Sequence, residues 1–282
     1  TDGLLLTNSR ALLTTRLAGL PTPPWIVWMQ SQGDTVKLDM TTPATARNEA
    51  AMWKIGSWYV MNRIAETFNS GNYGGIVKFI DIEGRRNGGT PEAIQVMRDA
   101  TFDLINLLSP KIVLALVYYD VPLLSNDDHP TDEGTVKGTA EMGHRLSAKI
   151  HNHLYGGTNS EGPKISSVTR GAANRIDIAF TVEAGETLFE PVDPVGFAFF
   201  TGDDFLTGTE ITITDKTWVS GVLQLTLDTT GQVTMCFPWL PAGSVDYQPH
   251  QPKETIFIRY VEDDPTRLGL PVWPIKSTVI AA

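Results

Sequence analysis

Cysteine is almost absent: Cys236 is the single one among 282 residues. That excludes an internal disulfide framework and any zinc site built from several thiolates. It leaves the compartment open. Long apolar runs are also missing, and none approaches the ~20 residues that a membrane-spanning helix needs. Basic clusters are equally scarce. Arg85-Arg86 is the only adjacent basic pair, and it reads as a solvated loop. With 22 basic and 32 acidic residues the formal charge is −10, which disfavours a phosphate-backbone partner. A nucleic-acid role and a membrane span are therefore both set aside. There is no signal-peptide pattern, and the chain opens on Thr1 rather than methionine. A processed end, an expression boundary or an internal cut is the expectation there.

What is present is a chain with two periodicities. Hydrophobic residues make up 41% and charged residues 19%, enough apolar material for a sizeable core. Eighteen prolines and twenty-five glycines point to many turns. In the first half, short apolar runs alternate with helical patterns. Residues 25–29, 76–82 and 111–119 read as strands buried on both faces. Residues 10–20, 45–68, 90–108 and 136–155 read as helices. In the second of these, Trp53, Ile55, Trp58, Met61, Ile64 and Phe68 form the expected buried set. Thr90 is the expected N-cap with Pro91 at the first helical position, and Gly156-Gly157 is the expected C-cap signal. Strands alternating with helices predict a parallel sheet with flanking helices.

After Gly162-Pro163 period-two runs take over, at residues 175–180, 210–214, 222–227 and 255–260, separated by turn residues. That predicts an antiparallel sandwich or jelly roll without long helices. The expected architecture is thus α/β, a parallel sheet with flanking helices over residues 1–158, followed by an all-β domain over 159–282. The acidity divides unevenly. Residues before Gly156 carry 14 basic and 16 acidic side chains, and the rest carry 8 and 16.

Two segments follow strands at their carboxyl ends, where ligand sites of open α/β sheets lie. One is Trp28-Met29-Gln30-Ser31-Gln32-Gly33-Asp34, whose Gln30 and Gln32 offer neutral amide donors suited to an oxyanion. The other is Ser125-Asn126-Asp127-Asp128-His129-Pro130, where a histidine beside carboxylates can act as a general base. A polar turn with a surface histidine is the plain alternative.

Together these segments resemble SGNH-type carbohydrate O-acetylesterases. Residues 28–34 are similar to the family's W-x-Q-G-E-x-D block. Residues 127–155 are similar to its last block, a D-x-x-H-P stretch followed by a helix, here with Gly143-His144-Arg145-Leu146-Ser147. Arg98-Asp99-Ala100 is similar to the arginine-led helix between them. Residues 162–180 and Gly269-Leu270-Pro271-Val272-Trp273-Pro274 resemble the C-terminal β region of sialate O-acetylesterases. The resemblance implies an SGNH-like sheet, part of which is missing at the N-terminal side. It also implies hydrolysis of an acetyl ester on a glycan by a serine–histidine mechanism without cofactor or metal. His129 matches the base and Gln30 the oxyanion or site-shaping glutamine. The family's aspartate falls on Asn126. Asp127 or Asp128 in its place, a Ser–His dyad, and lost activity are the alternatives. Gln32 replaces a glutamate and Ser31 a glycine.

No G-x-S block occurs before Trp25. A strand–Ser–helix elbow at Leu4-Leu5-Leu6-Thr7-Asn8-Ser9 is one way to supply the nucleophile. The favoured expectation is a serine on a preceding segment or a separate chain. The competing readings are a catalytically decayed module for glycan binding or structure, of the kind found on viral tail spikes, and an unrelated α/β protein with a lectin-like sandwich. A secreted or virion setting is favoured, and homo-oligomerisation stays open. The remaining polar clusters read more simply. His151 and His153 lie two apart and face different ways, which disfavours a shared metal. Cys236 reads as a small buried hydrophobe.

Overall fold

A computed structural model describes residues 4–16, 25–29, 37–68, 75–82, 90–119, 121, 138–157, 162–184, 186–239, 257–258 and 270–282. The first part runs α1 (Leu4–Arg16), β1 (Trp25–Trp28), α2 (Pro43–Phe68), β2 (Val77–Asp81), α3 (Pro91–Leu108), β3 (Ile112–Leu116) and α4 (Gly138–Tyr155). The strands form one parallel sheet in the order β1-β2-β3. Met61 of α2 and Leu104 and Leu108 of α3 pack with Trp28, Ile80 and Ile112, so both crossover helices share one face of the sheet. On the opposite face Phe79 meets the His153 ring of α4 edge-on at 5.3 Å. Helix α3 starts as its sequence dictates. The Thr90 hydroxyl accepts from the Ala93 amide at 3.2 Å, and Pro91 costs nothing where no intrahelical donor is needed. Helix α4 ends at Gly156, which takes a φ of +77°.

Three expectations need correction. Leu4–Leu6 belong to α1, so the strand–Ser–helix elbow does not form; Ser9 is an exposed residue within that helix. Strand β1 is half-buried at all four positions rather than buried on both faces. Ile55 is 61% exposed. The buried stripe of α2 consists of Ala46, Ala50, Lys54, Ser57, Met61 and Ala65, small side chains that let the helix approach its neighbours closely.

Among the described residues, the second part contains two four-stranded antiparallel sheets. One is ordered β4-β5-β9-β8, from β4 (Lys164–Arg170), β5 (Arg175–Thr181), β8 (Ile213–Val219) and β9 (Val222–Leu227). The other is ordered β13-β10-β6-β7, from β6 (Ala198–Thr201), β7 (Glu210–Ile211), β10 (Val233–Cys236) and β13 (Thr278–Ile280). A short pair, β11 (Phe257–Ile258) and β12 (Leu270–Pro271), is also present. Strands β8 and β9 join through Ser220 and Gly221, both at positive φ, the two-residue turn whose twist matches a hairpin.

The layers explain the burial patterns. Ile176, Ile178, Leu223 and Leu225 of the first sheet pack against Phe199, Val233 and Met235 of the second. The alternate residues Ala198, Phe200 and Cys236 pack against Ala46, Ala50, Val96 and Met97 of α2 and α3. Strands β6 and β10 are therefore covered on both faces and read as apolar runs, whereas β5 and β9 alternate. The core crosses the boundary between the two parts: Ile82, Leu114, Val117 and Tyr119 belong to the same cluster as Phe197 and Phe237. Gly162 marks that junction. A Cβ there would lie 2.0 Å from the carbonyl oxygen of Pro271, so only glycine permits the approach.

Candidate active site

All three parallel strands present their carboxyl ends at one edge of the sheet. β1 leads through Met29 directly into Gln30, and the connection from β3 leaves at Val121 and returns at Gly138. Adjacent strands lie about 4.8 Å apart, so β1 and β3, either side of β2, end about 10 Å from each other. Gln30, Asn126, Asp127 and His129 themselves lie outside the described residues.

The described part of this edge is a set of buried polar side chains. Asp81 ends β2 and is buried; the Tyr118 hydroxyl donates to its Oδ2 at 3.0 Å. On α4, Arg145 donates through Nε to Glu141 Oε1 at 2.9 Å and through Nη1 to the Val117 carbonyl at 2.9 Å. Both charged groups are almost wholly buried. The pair therefore ties α4 to the residue that follows β3, fixing the two ends of the connection that carries residues 126–129. The Val121 amide bonds back to the Tyr118 carbonyl at 3.1 Å, which turns the chain as it leaves the sheet. Tyr119 points into the antiparallel part and donates to the Val272 carbonyl at 2.8 Å. Tyr118 and Glu141 were not singled out from sequence. A tyrosine two residues after a buried strand and an i,i+4 Glu–Arg pair on the following helix are the signals that mark them.

A second concavity lies on the outer side of α2 and α3. It is a cavity of about 290 Å³, lined by residues including Lys54, Ile55, Asp99, Leu104, Leu107 and Ser277. Asp99 accepts from the Ser277 amide at 2.9 Å, from the Ser277 hydroxyl, and from Gln95 Nε2 at 2.7 Å. Burial raises its carboxyl pKa against the lowering effect of those donors. The Ser277 hydroxyl gives its hydrogen to a carboxylate, and among the described residues no histidine lines the cavity. Chemically this arrangement anchors the segment leading into β13 and does not activate a nucleophile. Arg98, the neighbouring residue, is buried and donates to the Pro238 carbonyl, so α3 holds the antiparallel part at two points.

Among the described residues no group of three or more His, Cys, Asp and Glu side chains could hold a metal ion, and no helix is long and apolar enough to cross a membrane. Cys236 is buried, and burial pushes its thiol far above the usual range, so it is no nucleophile. No protein-family model and no curated protein matches the chain.

Proposed function

We propose that this chain forms part of an SGNH-type ester hydrolase that removes O-acetyl groups from a carbohydrate. The observation that supports the reading is the parallel order β1-β2-β3, which sends the segments bearing Gln30 and His129 off the same edge of one sheet. In this reading His129 takes the proton of a serine hydroxyl as it attacks the acetyl carbonyl. It then returns that proton to the departing sugar oxygen, and water repeats the cycle on the acyl-enzyme. The Gln30 amide donates to the oxyanion, at no cost for desolvating a charge. Asp127 stands in for the family's aspartate, whose position holds Asn126, and stabilises the imidazolium. The serine comes from a preceding segment or a separate chain. The residues after 158 form the accompanying domain, of sandwich or jelly-roll type.

A second reading rests on Asn126 and Gln32, neutral where the family carries acids. It makes the chain a non-catalytic glycan-binding or structural module of the tail-spike kind. Acetate release separates the two. The protein assayed together with its serine-bearing segment is expected to release acetate from acetylated glycans or aryl acetates. His129→Ala is expected to lower the rate about 10²–10⁴-fold, the usual contribution of a positioned base. Full activity in His129→Ala removes His129 as the base, and no acetate release by the unmodified protein favours the second reading.

A further inference from the structure

The cavity of about 290 Å³ between α2, α3 and the segment leading into β13 has no part in the proposed hydrolysis. Its walls are apolar: Ala51, Ile55, Val96, Ala100, Leu104 and Leu107. Helices α2 and α3 share one apolar cluster through Ala46, Ala50, Val96 and Met97, and another through Met61 and Leu104. Between these, the side chains of Ala51 and Ala100 are too short to close the gap. Leu107 is 79% exposed and Ile55 61%, so the rim is apolar too. A mostly apolar pocket with a few convergent polar groups is the usual form of a small-ligand site.

Size and shape limit the occupant. On α3 the lining runs from Val96 to Leu107, about 16 Å along the helix axis, so the space is elongated. An apolar cavity of ~150 Å³ takes one benzene molecule, so this one takes about a dozen non-hydrogen atoms. An unbranched chain of about eight to ten carbons with a small head group satisfies both measures.

Charge selects the head group. Among the described residues, Arg47, Lys54, Asp99, Asp103 and Lys276 are the ionisable groups that border the cavity. Neither carboxylate suits a ligand cation. Asp103 is exposed and paired with Lys276 at 2.5 Å. Asp99 accepts from the Ser277 amide and Gln95 Nε2 on one oxygen and from the Ser277 hydroxyl on the other. Its burial also favours the neutral carboxyl, which attracts no cation. On the cationic side, Arg47 is held by Asp204 at 2.5 Å. Lys54 is only 5% exposed. Its ammonium carries three N–H donors, enough to hold a carboxylate alongside the contact it already makes within the fold. A charge-assisted hydrogen bond is strong in such apolar surroundings.

We propose that this cavity binds a medium-chain aliphatic carboxylate, with its chain between α2 and α3 and its head group on Lys54. The inference is independent of the hydrolase reading, because it uses none of its residues. Isothermal titration calorimetry of the full chain with decanoate, decan-1-ol and decylamine, each below its micellar concentration, tests it. The expected result is one decanoate per chain with a submillimolar Kd. Decanoate should bind at least about tenfold more tightly than either analogue, the size of one charge-assisted hydrogen bond. Lys54→Met should remove that preference and leave decan-1-ol binding as it was. Ala100→Leu fills the space and should weaken decanoate at least about tenfold, the size of losing a well-packed contact. Circular dichroism of both variants should match the original chain, and the three-ligand comparison on the unmodified chain stands even where a variant misfolds. No saturable binding at millimolar decanoate overturns the inference. So does an analogue that binds as tightly as decanoate, binding of several decanoates per chain, or a decanoate affinity that either folded variant leaves unchanged.

Discussion

Among the described residues, ten of the eleven buried polar or charged side chains precede residue 158: Lys54, Ser57, Lys78, Asp81, Gln95, Arg98, Thr101, Glu141, Arg145 and Lys149. The antiparallel part buries one, Thr234. Yet the antiparallel part carries most of the net negative charge. Among its described residues no charged side chain is fully buried, the Lys216–Asp193 pair lies at the surface, and its interior is Phe199, Ile176, Ile178, Leu223 and Leu225. The α/β part places charge inside. There buried polar side chains join elements that are distant in sequence: Arg145 to the Val117 carbonyl, Arg98 to the Pro238 carbonyl, Gln95 to the Ile275 carbonyl at 3.1 Å. Buried ions bring little net stability, since desolvation offsets their attraction. They fix where things are. The apolar part is held by area; the polar part is held by direction.

The comparison breaks first, if it is wrong, at Arg145. Replacing it with methionine removes the guanidinium partner of the buried Glu141 carboxylate and the Nη1 donor to Val117. Unfolding in urea should show a loss of about 3–5 kcal/mol. The double replacement Arg145→Met, Glu141→Leu should recover most of that loss, because two apolar groups no longer leave a charge without its partner. A single replacement that costs less than 1 kcal/mol would show that the pair is solvated in practice.

Asp99 gives a smaller effect, visible as pH dependence. Its folded carboxyl pKa lies above the ordinary 3.8, chiefly through burial. Between the two values the native state binds more of the proton than the unfolded chain. Its contribution is fully present below pH 3.8 and is lost as pH rises through the folded pKa. The slope is at most about 1.4 kcal/mol per pH unit. Asp99→Asn should remove this component, and the difference between the two stability–pH curves should fall with rising pH. Asp204 has the opposite sign, since the Arg47 guanidinium at 2.5 Å lowers its pKa, so only the difference curve isolates Asp99.

The smallest effect belongs to the antiparallel core. The Thr234 hydroxyl donates to the Gly202 carbonyl at 3.0 Å. Thr234→Val keeps the shape and should change stability by no more than about 1 kcal/mol by thermal melting. A loss as large as that at Arg145 would erase the contrast.

The same contrast governs what could be read from the amino acids alone. Period-two runs at 175–180 and 222–227 became β5 and β9 because one face of their sheet stays in solvent. The Thr90-Pro91 start and the Gly156 stop of the helices were legible because caps are local chemistry. The polar interior was not legible. Nothing near Arg98 indicates a partner 140 positions away, and nothing near Gln95 indicates one 180 positions away. Helix α1 starts six residues earlier than its leucine stripe suggested, and α2 buries alanines where larger side chains were expected. For the site, the strand ends that launch both candidate segments were legible, while the Arg145–Glu141 clamp across one of them needed the fold.

The proposed hydrolase site requires the segments bearing Gln30 and His129 to converge over the carboxyl edge of the parallel sheet. Gln30→Cys with His129→Cys tests it in the full chain, because Cys236, the one native cysteine, is buried. A bifunctional maleimide spanning about 10 Å, two strand spacings, should join the introduced cysteines within one chain and leave each single variant merely labelled. Convergence predicts rapid intramolecular cross-linking, found as a bridged 30–129 peptide after digestion. Labelling at both cysteines with no bridged peptide would contradict it.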